Sequence, residues 1–465
     1  TVPTDEDFES RMREAIQEQP RPFVAAWWRS FAALAACGSV VFAGLWLMSS
    51  LRAPVVKATT QERLAVAVRV DEVKWESGQT NAPQAGAAVT AGSLRFKSGK
   101  LTLAFLSGVS VHIEGPADVN LLGPDRMVCK QGNIRTLVSE GAEGFTIETP
   151  GAAVVDLGTE FGVKVDPEGR SQVVVYQGKA ETSLLSPDGS PRHTRLLGVQ
   201  ESVELDPRTS SMRNIAPREL LAAPDLKIAP LKLTKDYATR VLAAKPRHYW
   251  RGSAMTNDGR IEDTAPGAQP LRITGSVVPQ ADGSFDFAPT TEPQFLRADG
   301  DWTLPEEFAV ELWFASQSFH SSDLAVMHSI LDPRKVLALV ELTRRDVRNP
   351  LRPGGVRFLY RWPPGGSDGV NLYSAPLYVP YQWHHLVCQR RGSVLEMYLD
   401  GQQVGETPLQ GAELTTACVI RFGRLFEDPA SKEHRQFQGR MAEMAIYERA
   451  LDAKEIQDHA RGGGR

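Results

Sequence analysis

With 465 residues, 42% of them hydrophobic, the chain exceeds one ordinary domain of about 150 residues and holds enough apolar material for roughly three units. A net charge of −4 and an isoelectric point near 6.2 exclude the basic footprint of a nucleic-acid binder. The four cysteines, Cys37, Cys129, Cys388 and Cys418, exclude a disulfide scaffold, and one bridge, such as Cys388 with Cys418, stays open.

In chain order, residues 1–30 form a short tail. Within it, TDEDFESRMREAIQEQP has the pattern of an amphipathic helix, with Thr4 as cap, Asp5, Glu6 and Asp7 in the first turn, and Phe8, Met12 and Ile16 on one face. It is a solvated helix or a docking strip for a cytoplasmic partner. Residues 31–51, FAALAACGSVVFAGLWLMSSL, contain no charged side chain. At about 1.5 Å per residue they can cross a hydrocarbon core of about 30 Å. Arg29 and Arg52 bracket the run, and Trp27, Trp28 and Trp46 suit the interfaces. Four basic residues precede it (Arg11, Arg13, Arg21, Arg29) and four follow it (Arg52, Lys57, Arg63, Arg69), so charge does not orient it.

Residues 52–206 alternate with period two and break at turn residues, as all-β folds do. SLRFKSGKLTLAFLSGVSVHIEG predicts strands broken at Ser98-Gly99 and Ser107-Gly108. Further turns are expected at Thr149-Pro150-Gly151, Asp166 to Gly169 and Gln177-Gly178. Within VVDLGTEFGV the carboxylates Asp156 and Glu160 stand four residues apart. They are either a catalytic pair or part of a corner in a sheet. Gly158 between them marks a bulge or close backbone contact, and no nucleophile or histidine accompanies them, which favours the corner.

GVSVHIEGPADVNLL, KQGNIRTLV, GFTIETPGAAVVDLGTEFGVKV and QVVVYQGKAE, in that order, resemble the FecR domain. The resemblance implies a mostly antiparallel β domain beyond a membrane, belonging to a transmembrane regulator whose cytoplasmic end controls an alternative sigma factor.

Residues 207–245 read as a Pro-punctuated connector ending in a helix, LTKDYATRVLAAKP, with Thr234 as cap, Tyr237, Val241 and Leu242 on one face and Pro246 as stop. Residues 246–465 return to alternating strands (PEEFAVELWFASQ, VRFLYRW, YQWHHLVCQRRGSVLEMYLDGQQVG, ACVIRFG), with hairpin turns at Gly392-Ser393 and Asp400-Gly401. In the closing stretch, Asp452 with Glu455 makes a capping box, and Leu451 with Ile456 a hydrophobic staple. YQWHHLVCQRRGSVLEMYLDGQQVG and FQGRMAEMAIYERALDAKEIQDHA, with KPRHYWRGS and GSFDFAP before them, resemble the laminin-G-like, concanavalin A-like jelly roll. The resemblance implies a β-sandwich that binds carbohydrate or protein, often with Ca2+, or in some members cleaves glycans with three acids alternating on one strand. VELWF offers only Glu311, and RMAEMAIYE offers Glu443 and Glu448 without the intervening Asp.

Three groups of residues are candidates for binding. Arg361, Tyr360, Trp362 and Tyr373, near Arg344, Arg345, Arg348 and Arg352, combine flat apolar faces with polar edges. They serve either as a sugar platform or as core. His384, His385 and Cys388 hint at zinc, but His385 falls on the opposite strand face and no second cluster completes four ligands, so an ordinary strand is favoured. Asp258, Asp263, Asp368 and Asp428 are loop acids able to ligate calcium. The chain is thus expected to be mainly β: an N-terminal transmembrane helix, a FecR-like β domain, then a concanavalin A-like jelly-roll sandwich. Its expected role is that of a non-enzymatic protein of a bacterial inner membrane, its bulk in the periplasm, sensing a glycan or protein ligand and regulating a sigma factor. The alternative is a carbohydrate-binding or adhesion scaffold without signal output.

Overall fold

The computed structural model describes residues 62–186, 188–290, 292–345, 353–365, 369–374, 378–409, 416–427 and 435–464. The expected tail helix and the expected span at 31–51 lie outside them. Among the described residues no helix is long and apolar enough to cross a membrane.

The first body is one sheet of thirteen strands that forks. Long antiparallel strands Arg63–Trp75, Gly92–Phe105, Val109–Gly123 and Arg126–Val138 form its stem. Arg126–Val138 then serves two leaves. Its first residues pair in parallel with Thr146–Thr149, and its last residues pair antiparallel with Glu160–Val165. Period-two side chains from the leaves and stem close over one core that includes Phe96, Phe105, Phe145 and Phe161. Ser98-Gly99 is not the expected turn. Gly92–Phe105 runs through it, and Gly99 sits at φ +103 where a Cβ would lie 2.6 Å from the Glu72 carbonyl oxygen, so the pair marks a bulge between adjacent strands.

The second body is a sandwich of two antiparallel sheets. One runs His248–Met255, Gly439–Tyr447, Phe308–Ser316, His384–Arg391, Val394–Leu399, Gln402–Pro408. The other runs Leu271–Thr274, Phe295–Ala298, Thr416–Phe422, Ser322–Ser329, Val336–Arg345, Pro353–Gly365, Val370–Tyr373. Their facing sides hold a contiguous core with Trp250, Phe308, Phe314, Phe358 and Met397, as expected of a jelly roll. Cys388 and Cys418 are both free and buried in this core; they do not form the bridge left open above.

The connector is mostly exposed but is fastened at separate points. Ser211–Asn214 adds a strand to the first sheet. Beyond it, Leu220 accepts from Asn133 Nδ2 at 2.6 Å, and Arg135 Nη1 donates to Glu219 at 2.6 Å and to the Leu221 carbonyl at 2.8 Å. The helix is Tyr237–Ala243, shorter than expected. Asp236, not Thr234, stands at its N-cap, and Leu242 is exposed rather than on the packed face. Tyr237 and Val241 bury against the outer side of the first sandwich sheet.

That outer side is sealed. The C-terminal helix Ala453–Arg461 starts in the expected capping box, Glu455 N to Asp452 Oδ1 at 2.8 Å and Asp452 N to Glu455 Oε2 at 2.9 Å, and Leu451 and Ile456 enter the same cluster. Beneath it Glu311 is fully buried, accepting from Tyr447 Oη at 2.5 Å and contacted by His385 Nε2 at 2.7 Å and His459 Nδ1 at 2.9 Å. Burial pushes its carboxyl up, but the His459 charge and hydrogen bonds from both histidines outweigh this and hold it well below the usual range.

The two bodies share a seam. Val66, Ala104 and Leu106 of the first sheet belong to the same buried cluster as Phe319 and Tyr378 of the sandwich. Arg345 N donates to the Leu106 carbonyl at 2.5 Å, and Arg345 pairs with Glu62. At the turn, Gly108 has φ +100 and a Cβ there would meet the Phe319 carbonyl oxygen at 2.8 Å, so only glycine admits this approach.

Leu106→Ala is expected to cost about 2–5 kcal/mol through the cavity it opens, lowering the urea midpoint of the whole unit. A variant matching the parent midpoint would show that the seam contributes nothing. Glu311→Ala, which strands three buried partners, is expected to cost about 3–5 kcal/mol in the same measurement.

Candidate functional site

The second sandwich sheet keeps its outer side open. Strand alternation sends Ala338, Val340, Phe358 and Tyr360 into the core, and an irregularity in the pairing between Val336 and Ala338 lets the adjacent Leu337 join them. The same alternation turns Val336, Leu339 and Leu359 outward, where they join Val326 and Leu425 in a small apolar floor. Above this floor lies a cavity of about 1050 Å³. One wall comes from the first body: Ser110, the Val138–Gly141 turn and Gln177. The opposite wall comes from the sandwich loops and includes Gln317, Ser318, His320, Tyr381, Gln436 and Gln438. The seam draws the two walls together, and Ser139 Oγ stands 3.4 Å from Ser318 Oγ across the join.

The polar groups of the cavity are held in place. His320 is buried, and burial lowers its pKa to about 4. Its ring is therefore neutral near pH 7, with Nδ1 3.0 Å from Ser318 Oγ and Nε2 accepting from Gln438 N at 3.2 Å. Tyr381 sits at φ 66, a strained conformation for a bulky residue, and is pinned by its backbone N donating to the Ser316 carbonyl at 2.7 Å. The strain places a partly exposed aromatic ring on the cavity wall beside amide side chains. Five arginines line the space: Arg334, Arg344, Arg357, Arg361 and Arg435. Buried Glu341 bridges two of them, accepting from Arg357 Nη1 and Arg435 Nη1 at 2.6 Å each. Arg334 pairs with Asp332, and Arg361 Nη1 donates to the Gly365 carbonyl at 3.1 Å. Arg344 reaches across to the first body, where a Cβ built on Gly141 would lie 2.9 Å from its Nη2. Among the described residues no carboxylate pairs with Arg344.

Of the four residues expected as a sugar platform, only Arg361 lines the cavity. Tyr360 is 1% exposed, stacked on Phe308 with its hydroxyl accepting from Arg390 Nη1 at 2.8 Å; it is core and cannot meet a ligand. Trp362 is 42% exposed and is not part of the lining. Tyr373 stands in register with Arg357, and so on the same face, but outside the cavity. Sequence reading missed Tyr381, whose position depends on a backbone conformation that composition does not disclose. It also missed the Ser139–Gly141 turn, some 200 residues earlier in the chain.

The other candidates have structural partners. Asp263 is buried and accepts from Tyr249 N at 2.9 Å, Ala265 N at 3.0 Å and Gln269 N at 3.1 Å, with His248 Nδ1 2.7 Å away. It organises a loop and has no exposed oxygen for calcium. Asp258 binds Thr256 within its own turn and pairs with Arg260; Asp368 and Asp428 lie outside the described residues. His384 contacts Asp400 Oδ2 at 2.9 Å, His385 faces Glu311 from the other side of the strand, and Cys388 is core. Among the described residues no group of three or more His, Cys, Asp or Glu side chains is placed to hold a metal ion. Glu443 is buried against Tyr249 and Arg251, and Glu448 accepts from Trp302 Nε1 at 3.0 Å. Asp156 accepts from Gly158 N at 3.0 Å, while Glu160 accepts from Arg135 Nε at 2.7 Å. Those two carboxylates hold a corner, with Gly158 at φ +88 between them.

Residues 290–457 match the profile of the concanavalin A-like lectin/glucanases superfamily. The match falls within the sandwich and leaves the first body outside it. No curated protein matches the chain. Among solved structures, a botulinum neurotoxin serotype D ligand binding domain in complex with N-acetylneuraminic acid is 10% identical, with a TM-score of 0.36 over 47% of this chain and 51% of that one. Domain 4 of an extracellular GH43 arabinanase from Geobacillus stearothermophilus, in complex with arabinotriose, is 15% identical, with a TM-score of 0.34 over 50% of this chain and 100% of that one. The chain spans about half the length of the toxin binding domains it matches. Likenesses at this level carry no argument about ligand.

Burial also lowers His112 and His328 to about 4, with nearby Arg135 and Arg421 adding to the effect. These groups and His320 refuse protons that the unfolded chain accepts below its ordinary value of 6.5. Their folded pKa is depressed, so the stability tied to their neutral form is present above pH 6.5 and is lost as pH falls toward 4. Urea midpoints recorded between these pH values are expected to decline steadily, and His112→Gln or His320→Gln to flatten the slope. An unchanged slope in both variants would refute the assignment.

Proposed function

We propose that the chain is a binding protein that takes a glycan in the cavity on the outer side of the second sandwich sheet. One observation carries this reading. Tyr381 is forced by an unfavourable backbone conformation onto the wall of a cavity of about 1050 Å³ that Gln317 and Gln438 also line. A sugar ring presents an apolar face and a rim of hydroxyls; a tyrosine ring and amide side chains meet those two demands together. The superfamily match over residues 290–457 supports the same reading. The volume suits an oligosaccharide segment, being at the upper end of the range of about 300–1,000 Å³ usual for ligand pockets.

In this proposal residues 31–51 anchor the chain in a bacterial inner membrane and the described unit stands in the periplasm. The first body, through its FecR-like sequence, is the element that connects the binding sandwich with the anchor and, in the regulatory form of the reading, with a sigma factor beyond it. The buried seam through Val66, Ala104 and Leu106 supports rigid holding over a hinged relay, and so favours a carbohydrate-binding scaffold.

Binding of the full chain to a panel of neutral and acidic polysaccharides, followed by isothermal calorimetry, tests the reading. Tyr381→Ala is expected to weaken a bound glycan by about tenfold, the loss of one stacked aromatic contact of order 1 kcal/mol or more. Circular dichroism is expected to stay unchanged. Failure of every glycan to bind, or equal affinity in the variant, would overturn it.

A further inference from the structure

We infer that the cavity selects an acidic glycan, whose carboxylate or sulfate group is seated at Arg344 against the Ser139–Gly141 turn of the first body. The inference rests on the glycan reading above and adds the ligand's charge and the second body's part in holding it.

Charge comes first. Five arginines line the cavity, against one lining acid, Glu140. Three further acids stand close behind the wall. Glu341 is shared by Arg357 and Arg435, Asp332 pairs with Arg334, and buried Asp323 lies beside Glu341 in the strand register. Glu143, which accepts from Gly141 N at 2.7 Å, is a further acid beside the turn. The acids close to the cavity thus equal the five arginines, but Glu341 and Asp332 are taken up by arginines other than Arg344. The cationic character that matters for a ligand is therefore local to Arg344, not a field of the whole cleft.

Position comes second. Arg357 and Arg435 are committed to Glu341 and serve as a rigid cationic backdrop. Arg344 is held differently. Its stem passes Gly108, whose Cβ would lie 3.7 Å from Arg344 Cδ, and its guanidinium lies on Gly141, where no side chain intervenes. No carboxylate among the described residues satisfies its fork of donors. A planar carboxylate or a sulfate offers the oxygen pair that the geometry of such a guanidinium fits. Gly141 has φ +78, so a substitution there both strains the turn and displaces the guanidinium.

The composite wall comes third. The sandwich alone would leave Arg344, one residue from the end of its strand, open to water, which screens it and makes affinity for one anion small. The Ser139–Gly141 turn supplies the facing wall. The site is therefore assembled by the contact between the two bodies.

The test compares the full chain binding to dextran, dextran sulfate and polygalacturonate, by calorimetry at low and raised salt. The pair of dextrans isolates the sulfate, and polygalacturonate supplies a carboxylate on a different backbone. Binding to dextran sulfate, polygalacturonate or both in preference to dextran is expected, weakening with salt. Arg344→Ala is expected to reduce it by at least about tenfold, the size of one charge-assisted hydrogen-bonded contact. Arg344→Lys is expected to recover part of the loss, and Arg208→Ala, an equal charge change outside the lining, to leave affinity unaltered. Equal losses in Arg344→Ala and Arg208→Ala would overturn the inference, because binding would then be non-specific attraction. Tyr381-dependent binding of neutral dextran alone would sink the acidic selectivity and leave the glycan reading standing. No binding to any polysaccharide would sink both.

Discussion

The structure depends on a short apolar seam. Val66, Ala104 and Leu106 leave the core of their own sheet and enter the core of the sandwich. Burying such side chains removes water from both partners at once, worth about 25 cal/mol per Å². The contact is close because Gly108 lets a turn of the first body touch the Phe319 carbonyl. It also sets the distance between the Ser139–Gly141 turn and the second sandwich sheet, and that distance is the width of the cavity. Two β bodies joined only by a connector would be free to reorient and would share no wall.

The sandwich has two outer sides, and they are treated in opposite ways. One side carries Glu311, His385, His459 and Tyr447 under the helices Tyr237–Ala243 and Ala453–Arg461. A buried carboxylate is tolerable only when several donors surround it, and here the second helix delivers one of those donors, His459. Its capping box fixes where that histidine falls. The other side carries no helix among the described residues. Its apolar floor is small, its arginines are braced by Glu341, and its cover is the first body, which touches it at the rim and leaves space beneath. Closure of one side by a polar network and spanning of the other by a separate body together place the cavity.

The strained Tyr381 and the braced arginines share a logic. Each is a local cost, a left-handed backbone in one case and charges drawn out of bulk water in the other, offset by surrounding structure. Tyr381 is held by its backbone bond to Ser316, and Arg357 and Arg435 by Glu341. Such costs in a cleft are consistent with binding work. The same residue types elsewhere in this chain, Tyr360 on Arg390 for instance, only complete a core.

Much of the fold was legible in the residue order, because a strand announces itself by alternation and a turn by its glycine. The breaks at Ser107-Gly108, Gln177-Gly178, Gly392-Ser393 and Asp400-Gly401, and the Asp452–Glu455 capping box, are local events set by neighbours a few residues apart. Where a local rule met a distant partner it failed. Gly99 became a bulge because the Glu72 backbone lies on it, and Thr234 yielded the N-cap to Asp236. The site was less legible. Arg361 and Tyr360 are adjacent and equally promising by composition, yet strand pleating sends one to the cavity and the other to the core, and only the identity of the covering layer tells which side is which. The amino-acid order by itself determined two all-β bodies, their turns and the connector between them. Tertiary packing alone decided that the bodies share a core and that Arg344 meets Gly141, because contacts between residues some 200 positions apart are fixed by which apolar faces bury each other, and no short-range pattern encodes that choice.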